Sequence, residues 1–310
     1  MAESPAAGPR TGFVAIVGRP NVGKSTLLNA LVGEKVSITS RKAQTTRHAV
    51  RGVLTRGTAP HQTQFIFVDT PGLQRRHRSE LNRRMNESIR TALAEVDAVV
   101  LVIEARGWTG EDDAVLAALP RADAASRVVL VINKTDLLHR RDALLPLMAQ
   151  SAERYPFAAI VPVSAEKSRQ LSHQLNDLLA ELAKLLPEGE PLFDADTYTD
   201  RSVRFLAAEA LREKAFRLLG DELPYGVAVT IDRWQEEPDR VSIMATLLVE
   251  RDAHKGIVIG AGGAKLREIG RLARADIEQL TGKPVFLETH VRVRRGWSDR
   301  ASDLKALGYE

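Results

Sequence analysis

The chain has 310 residues, 44% hydrophobic and 27% charged, with a net charge of +4; that length suits two domains of ordinary globular composition. It contains no cysteine, which excludes disulfides and thiolate metal sites and suits a reducing compartment. No apolar run approaches the length of a membrane span; the longest lies around Ala98–Ile103.

In chain order, residues 1–10 read as an Ala/Pro/Gly-rich tail without the basic start and apolar core of a signal peptide. Apolar, β-branched runs follow at Phe13–Val17, Phe65–Val68, Ala98–Ile103, Val128–Ile132 and Ala159–Val163. Amphipathic helical patterns separate most of them, over Lys24–Val32, Ser79–Leu93, Asp112–Ala118, Asp142–Arg154 and Leu171–Leu186. Strands apolar on both faces, alternating with helices, predict a mostly parallel α/β sheet covered by helices on both faces. The basic segment Ala49–Thr55 predicts an added antiparallel strand. Pro187, Gly189 and Pro191 punctuate a polar stretch that reads as a linker over 188–201. Beyond it the order changes to a helix (Ser202–Leu219), two strands (Gly226–Gln235, Arg240–Glu250), a helix–turn–helix (Lys255–Leu280) and a strand (Pro284–Val293). This α-β-β-α-α-β order predicts a separate α+β domain. The expected division is thus 11–187 and 202–310.

Gly18-Arg19-Pro20-Asn21-Val22-Gly23-Lys24-Ser25, with Thr26 after it, follows a strand and opens a helix, as a phosphate-binding loop must. Glycines let successive main-chain N–H groups wrap phosphate oxygens at a helix N-terminus. Lys24 can reach the β- and γ-phosphates, and the Ser25 hydroxyl can ligate Mg²⁺. Asn133-Lys134-Thr135-Asp136 ends the strand Val128–Ile132. A carboxylate there accepts two hydrogen bonds from guanine N1–H and its exocyclic amine, a donor pair that adenine lacks. Ser164-Ala165 is expected to complete the base pocket through backbone N–H groups. Asp69-Thr70-Pro71-Gly72 follows a third strand; Asp69 can hold Mg²⁺ through water, and the Gly72 N–H can bond the γ-phosphate. In Gln44-Thr45-Thr46-Arg47 a threonine hydroxyl can complete the Mg²⁺ shell; Thr46 is favoured, although spacing does not separate it from Thr45. Lys24, Thr46 and Gly72 are the expected catalytic groups.

Near the other end, Ile257-Val258-Ile259-Gly260-Ala261-Gly262-Gly263 joins two helical segments. A GxxG turn lets backbone approach a nucleic-acid phosphate, and the next helix aims its N-terminal N–H groups at it. Ile257, Val258 and Ile259 are expected to line a groove for bases, and Lys265, Arg267 and Arg271 to attract phosphate. Between His254 and Lys305 there are 11 Lys/Arg against 6 Asp/Glu, a surplus that suits a polyanion. The segment Val291–Trp297 either extends an RNA surface or is an edge strand with a packed tryptophan. The rival use for the basic patches is anionic lipid, in a membrane-associated signalling switch.

The spellings GRPNVGKS, QTTRH, DTPG and NKTD, in that order on an alternating sheet, resemble the Era/TrmE branch of the translation-factor-like GTPases, over roughly Gly12 to Leu186. The string VIGxxG in its α-β-β-α-α-β frame resembles a KH domain of the second type. Together, with Ala207–Lys214 and Leu219–Tyr225, they resemble the Era family of ribosome-assembly GTPases from about Gly12 to Tyr309. That resemblance implies an α/β P-loop GTPase domain followed by a KH type-2 RNA-binding domain. It also implies GTP/GDP and Mg²⁺ as ligands and the 3′ end of 16S ribosomal RNA and the 30S subunit as partners. A monomer is expected, cytoplasmic with some peripheral contact at the inner face of the cell membrane. In this branch an Asn at the place of Asn21 ligates K⁺. Leu73 stands where Ras-like enzymes carry a water-orienting Gln, so slow intrinsic hydrolysis is expected. The chain departs from the family after Ser164-Ala165, where Glu166–Leu171 replaces a Gly-containing turn.

Overall fold

A computed structural model of the chain describes residues 8–40, 42, 45–59, 61–73, 79–119, 126–138, 140–168, 170–220 and 226–309. Gln44 and residues 221–225, which belong to motifs named above, lie outside the described residues. The chain divides into two compact units: one comprises Met1–Ser37, Ala49–Arg75 and Met85–Asp200, the other Ile38–His48, Arg76–Arg84 and Arg201–Glu310.

In the first unit a six-stranded sheet runs in the order β2-β3-β1-β4-β5-β6, from β1 (Arg10–Val17), β2 (Val50–Arg56), β3 (Thr63–Asp69), β4 (Ala98–Glu104), β5 (Val128–Asn133) and β6 (Ala159–Pro162). β2 is antiparallel to β3; the other neighbours are parallel. Alternation along β1 decides which helix packs where. Val14 and Ile16 share a core with Leu27 and Leu28 of α1 (Lys24–Val32) and with Leu178 and Leu182 of α5 (Ser172–Leu185). Ala15 and Val17 point the other way, to Ile89 of α2 (Glu80–Glu95), Val115 of α3 (Gly110–Leu116) and Leu147 of α4 (Leu144–Arg154). Each fully buried leucine contributes about 1.5–3 kcal/mol. α3 begins earlier than the expected Asp112 because Thr109 and Asp112 form a reciprocal capping box.

The stretch read as a linker is anchored to this sheet. Buried Gln64 of β3 donates to the Phe193 carbonyl (2.8 Å) and accepts from the amides of Leu192 (2.8 Å) and Phe193 (3.0 Å). Val53 N–H bonds Tyr198 O at 3.0 Å, and the Thr199 hydroxyl bonds Arg51 O at 2.7 Å.

The second unit holds a three-stranded sheet, β7 (Ala228–Glu236), β8 (Val241–Val249) and β9 (Val285–Val293), with β7 antiparallel and β9 parallel to β8. Leu211 of α6 (Val203–Leu218) and Ile269, Ala273 and Ile277 of α8 (Ala264–Thr281) close its core. α7 (Asp252–Ile259) precedes α8, and α9 (Ala301–Ala306) ends the fold. Charged groups are buried along α6, and they take the segment Ile38–His48 into this unit. Glu213 accepts from Thr39 N–H (2.9 Å), Arg212 bonds the Thr45 carbonyl (2.5 Å), and Arg47 reaches the Val227 carbonyl (2.9 Å) beneath Phe216. Arg212 is itself forked on Glu209, both bonds at 2.7 Å. Arg212 and Glu213 are tolerated there because each is ion-paired and hydrogen-bonded.

Candidate functional site

The phosphate loop, Asp69–Gly72, Asn133–Asp136 and Ser164-Ala165 all follow the carboxyl ends of first-unit strands, the edge where open α/β sheets bind ligands. The phosphate loop turns from β1 into α1. Lys24, almost fully buried, folds over it and donates to the carbonyls of Gly18 and Arg19, both at 3.0 Å. Burial pushes its ammonium down to about 8, against the pull of Asp69; a desolvated cation is a strong partner for phosphate. Val22 is wholly buried, so it can serve a nucleotide only through its main chain. Gly72 lies against this loop: a Cβ there would sit 2.9 Å from Pro20 N, so only glycine lets the two segments touch.

Ser25 Oγ donates to Asp69 Oδ2 at 2.7 Å. This pair of oxygen donors at the foot of the phosphate loop fits Mg²⁺, which takes one or two protein oxygens and completes its shell with water and phosphate. A second hydroxyl, from Ser37, reaches the same Oδ2 at 2.8 Å. Asn29 of α1 holds Ser37 there, accepting from the amides of Val36 (3.0 Å) and Ser37 (2.9 Å) and donating to Ser37 O (2.7 Å). Sequence reasoning missed both residues, because a lone Ser and a mid-helix Asn carry no motif. Thr46 is buried and falls, with Ile38–His48, in the second unit. The Thr45 hydroxyl closes a local turn on Lys42 O at 2.6 Å. The Thr70 side chain is fully buried and donates to Ile16 O at 2.9 Å, so it too can serve a nucleotide only through its main chain.

The base loop is tied to the phosphate loop. Asn133 Nδ2 donates to Val22 O at 2.8 Å, and Lys134 Nζ to Asn21 O at 2.6 Å. Asp136 sits in a 3₁₀ turn, Thr135–Leu137, with its Oδ1 bonded by the Ser164 hydroxyl at 2.5 Å. The expected use of the Ser164 and Ala165 amides as base donors needs correction. Ser164 N–H already bonds Gln174 Oε1 (2.9 Å) and Ala165 N–H bonds Asn133 Oδ1 (3.1 Å). The contact Ser164 makes toward the base loop is the bond from its hydroxyl to Asp136. The Arg19 guanidinium is held by Asp112 and Glu104. Glu104 was also missed, although it stands at the carboxyl end of a strand, where such residues are to be sought.

In the second unit α7 ends at Gly260, whose φ of 72° and ψ of 175° favour glycine, and a Cβ there would lie 2.8 Å from Lys265 Cβ. A short 3₁₀ turn, Ala261–Gly263, leads into α8. Ala261 and Gly262 are exposed, and nothing lies within 4 Å of a Cβ built on Gly262. Lys265 is part-exposed and Arg267 exposed beside the turn; Arg271 is exposed but forked on Glu268 at 2.7 and 2.8 Å. Val258 is a correction: it is 0% exposed in the core, so of the three apolar residues only Ile257 and Ile259 present surface. Trp297 is likewise fully buried, its Nε1 on Gly226 O at 3.2 Å. The tryptophan of Val291–Trp297 is thus packed inside, while Arg292, Arg294 and Arg295 are exposed.

This fold and these loops define a P-loop GTPase domain followed by a KH domain. A family described as 50S ribosome-binding GTPase matches residues 13–134, and the KH domain family matches residues 222–298. GTPase Era of Bordetella petrii is 55% identical over 301 residues, covering 97% of this chain and 98% of the relative. Era of Xanthomonas oryzae pv. oryzae is 52% identical, covering 97% of each. Among solved structures, a point variant of Aquifex aeolicus Era bound to GDP·AlF4⁻ superposes with a TM-score of 0.90 at 40% identity, over 97% of this chain and 99% of that one. Era in complex with MgGDPNP and nucleotides 1506–1542 of 16S ribosomal RNA gives 0.89, with the same identity and coverage. The chain belongs to the Era family, and its activity is the hydrolysis of GTP to GDP and phosphate.

Proposed function

We propose that this GTPase is a nucleotide-controlled RNA-binding switch in 30S subunit assembly, working as a cytoplasmic monomer and gripping the 3′ end of 16S ribosomal RNA with its KH domain. The observation that carries this reading is the open, exposed Ala261–Gly263 turn between two helices, flanked by Lys265 and Arg267, on the same chain as a guanine-selective loop. A relative of matching length solved with that RNA supports it.

The nucleotide lies with its phosphates in the loop Gly18–Thr26 and its base on Asp136. Ser25 and Asp69 would hold Mg²⁺, with Thr46 joining in the GTP state; the ion neutralises charge on the phosphate oxygens. Asn21 would ligate K⁺, supplying the positive charge that an arginine finger brings elsewhere. Hydrolysis is then expected to be faster in potassium than in sodium buffer, and equal rates would remove this role. Leu73 cannot orient water, so intrinsic turnover is slow.

Coupling of GTP to RNA is supported by the packing of Ile38–His48, which carries Thr46, against α6 of the KH-containing unit. Linkage requires that RNA bind more tightly in the GTP state and GTP more tightly with RNA present. The test is the affinity of single-stranded RNA ending in the 16S 3′ sequence, measured with GDP and with a non-hydrolysable GTP analogue. Equal affinities would refute the coupling; no binding in either state would refute the RNA role. Among the described residues no helix is long and apolar enough to cross a membrane, so a membrane role is one of peripheral contact. Preference for anionic vesicles over RNA in co-sedimentation would favour the signalling alternative.

A further inference from the structure

We propose that Glu104 is a positioning residue for nucleotide binding, its carboxylate bridging Arg19 of the phosphate loop to Lys134 of the base loop. Topology places it there. β4 lies between β1, which leads into the phosphate loop, and β5, which leads into the base loop. Glu104 is the last residue of β4 and pairs with Asn133 in the ladder, so one side chain from this strand end can reach both loops. Its Oε2 lies 3.3 Å from Arg19 Nη2, and its Oε1 2.5 Å from Lys134 Nζ.

The bridge is anchored at both ends. Lys134 Nζ also donates to Asn21 O at 2.6 Å. Arg19 Nε is held by Asp112 Oδ2 at 3.2 Å. Asp112 is 0% exposed and belongs to the α3 capping box, accepting from Thr109 N–H at 3.0 Å and from the Thr109 hydroxyl at 2.7 Å. The network therefore joins the phosphate loop, the end of β4, the start of α3 and the base loop.

Backbone strain falls on the same residues. Among the described residues, the non-glycine residues with positive φ are Asn21 (66°) and Lys134 (62°). Each sits in the left-handed region, which side chains other than glycine rarely adopt, and the Lys134–Asn21 bond connects them. A carboxylate beside Lys134 fixes the ammonium where it meets the Asn21 carbonyl. The same carboxylate, with Asp112, fixes the Arg19 guanidinium, whose Nη1 also donates to Pro20 O at 3.4 Å. Without it Lys134 loses its carboxylate partner and Arg19 keeps only Asp112, so the two loops lose the side chain that joins them. Burial raises the pKa of Glu104, but the bonds to Lys134 and then Arg19 outweigh it and hold the carboxyl below its usual range.

The inference rests on the reading that these two loops hold one guanine nucleotide. It is tested on the full chain by the dissociation rates of N-methylanthraniloyl-GDP and of the matching GTP analogue. Glu104→Gln is expected to speed release of both by about tenfold, the effect of losing a part-buried charge pair on an off-rate. Glu104→Asp, which keeps the charge, should recover part of the loss. Arg19→Ala should show a similar increase, and the double variant Arg19→Ala/Glu104→Gln should be no worse than the more severe single, because both act through one bridge. Additive effects, or unchanged release in Glu104→Gln with an unaltered melting temperature, overturn the proposal. If Glu104→Gln does not fold, Glu104→Asp and Arg19→Ala carry the test, and wild-type release in both overturns it. Full guanosine preference in Asp136→Ala would instead bring down the underlying reading of the site, so the two failures are distinguishable.

Discussion

Asp136→Ala is expected to abolish the preference for guanosine over adenosine nucleotides and to weaken GDP binding by about a hundredfold or more. The carboxylate follows β5 in a tight 3₁₀ turn, and the Ser164 hydroxyl at 2.5 Å sets its orientation. It needs no reorganisation to accept the two adjacent donors of guanine. Hydrogen bonds to a charged acceptor are worth about 1.5–3 kcal/mol each. Two of them account for two to four orders of magnitude, at about 1.4 kcal/mol per decade. Adenine never makes them, so its weak binding should change little. Asp136→Asn separates chemistry from folding. Its amide offers one donor and one acceptor, which suits a base carrying a carbonyl where guanine carries the exocyclic amine, so xanthosine diphosphate should bind better than GDP. Competition of GDP, ADP and xanthosine diphosphate against a fluorescent GDP measures all three. Retained guanosine selectivity in the alanine variant would place the base elsewhere.

The second large effect is on RNA. Replacing Ala261 and Gly262 together by aspartate is expected to lower affinity for single-stranded RNA by about a hundredfold or more, leaving GTP binding and hydrolysis in place. Both positions are exposed, and a side chain at 262 meets nothing within 4 Å. Gly262 has a φ of 54°, which aspartate tolerates better than most residues. Negative charge at the N-terminus of α8 is favourable for the helix itself, so folding should survive. An RNA phosphate drawn to that terminus and to Lys265 and Arg267 would meet repulsion instead. Fluorescence anisotropy with a labelled RNA ending in the 16S 3′ sequence, at fixed salt, checks this. Undiminished binding would show that RNA uses another surface.

Much of this was available before any coordinates. The phosphate loop, Asp69–Gly72 and Asn133–Asp136 each lie directly after an apolar strand, so periodicity and local spelling place them together at one sheet edge. The same holds for the GxxG turn, whose conformation is demanded by neighbours within a few residues, as at Gly260 against Lys265. Expectations failed where they depended on which way a side chain faces. Val258 was read by its motif, yet the helix face it occupies turns it into the interior.

Chain chemistry alone, then, decided that this protein folds as two modules, that it carries a guanine-nucleotide site and that it exposes a glycine-rich backbone turn between two helices. Main-chain amides and a loop carboxylate act through local geometry, which neighbouring residues specify. Only the tertiary fold decided that Glu104 and Asp112 flank Arg19, that Ser37 shares Asp69 with Ser25, and that Thr39 and Thr45 are bound by α6. Those pairings join residues 85, 93, 32, 174 and 167 positions apart. Charge and hydrogen-bond partners are chosen by proximity in space, and strand order, which no local pattern encodes, determines that proximity.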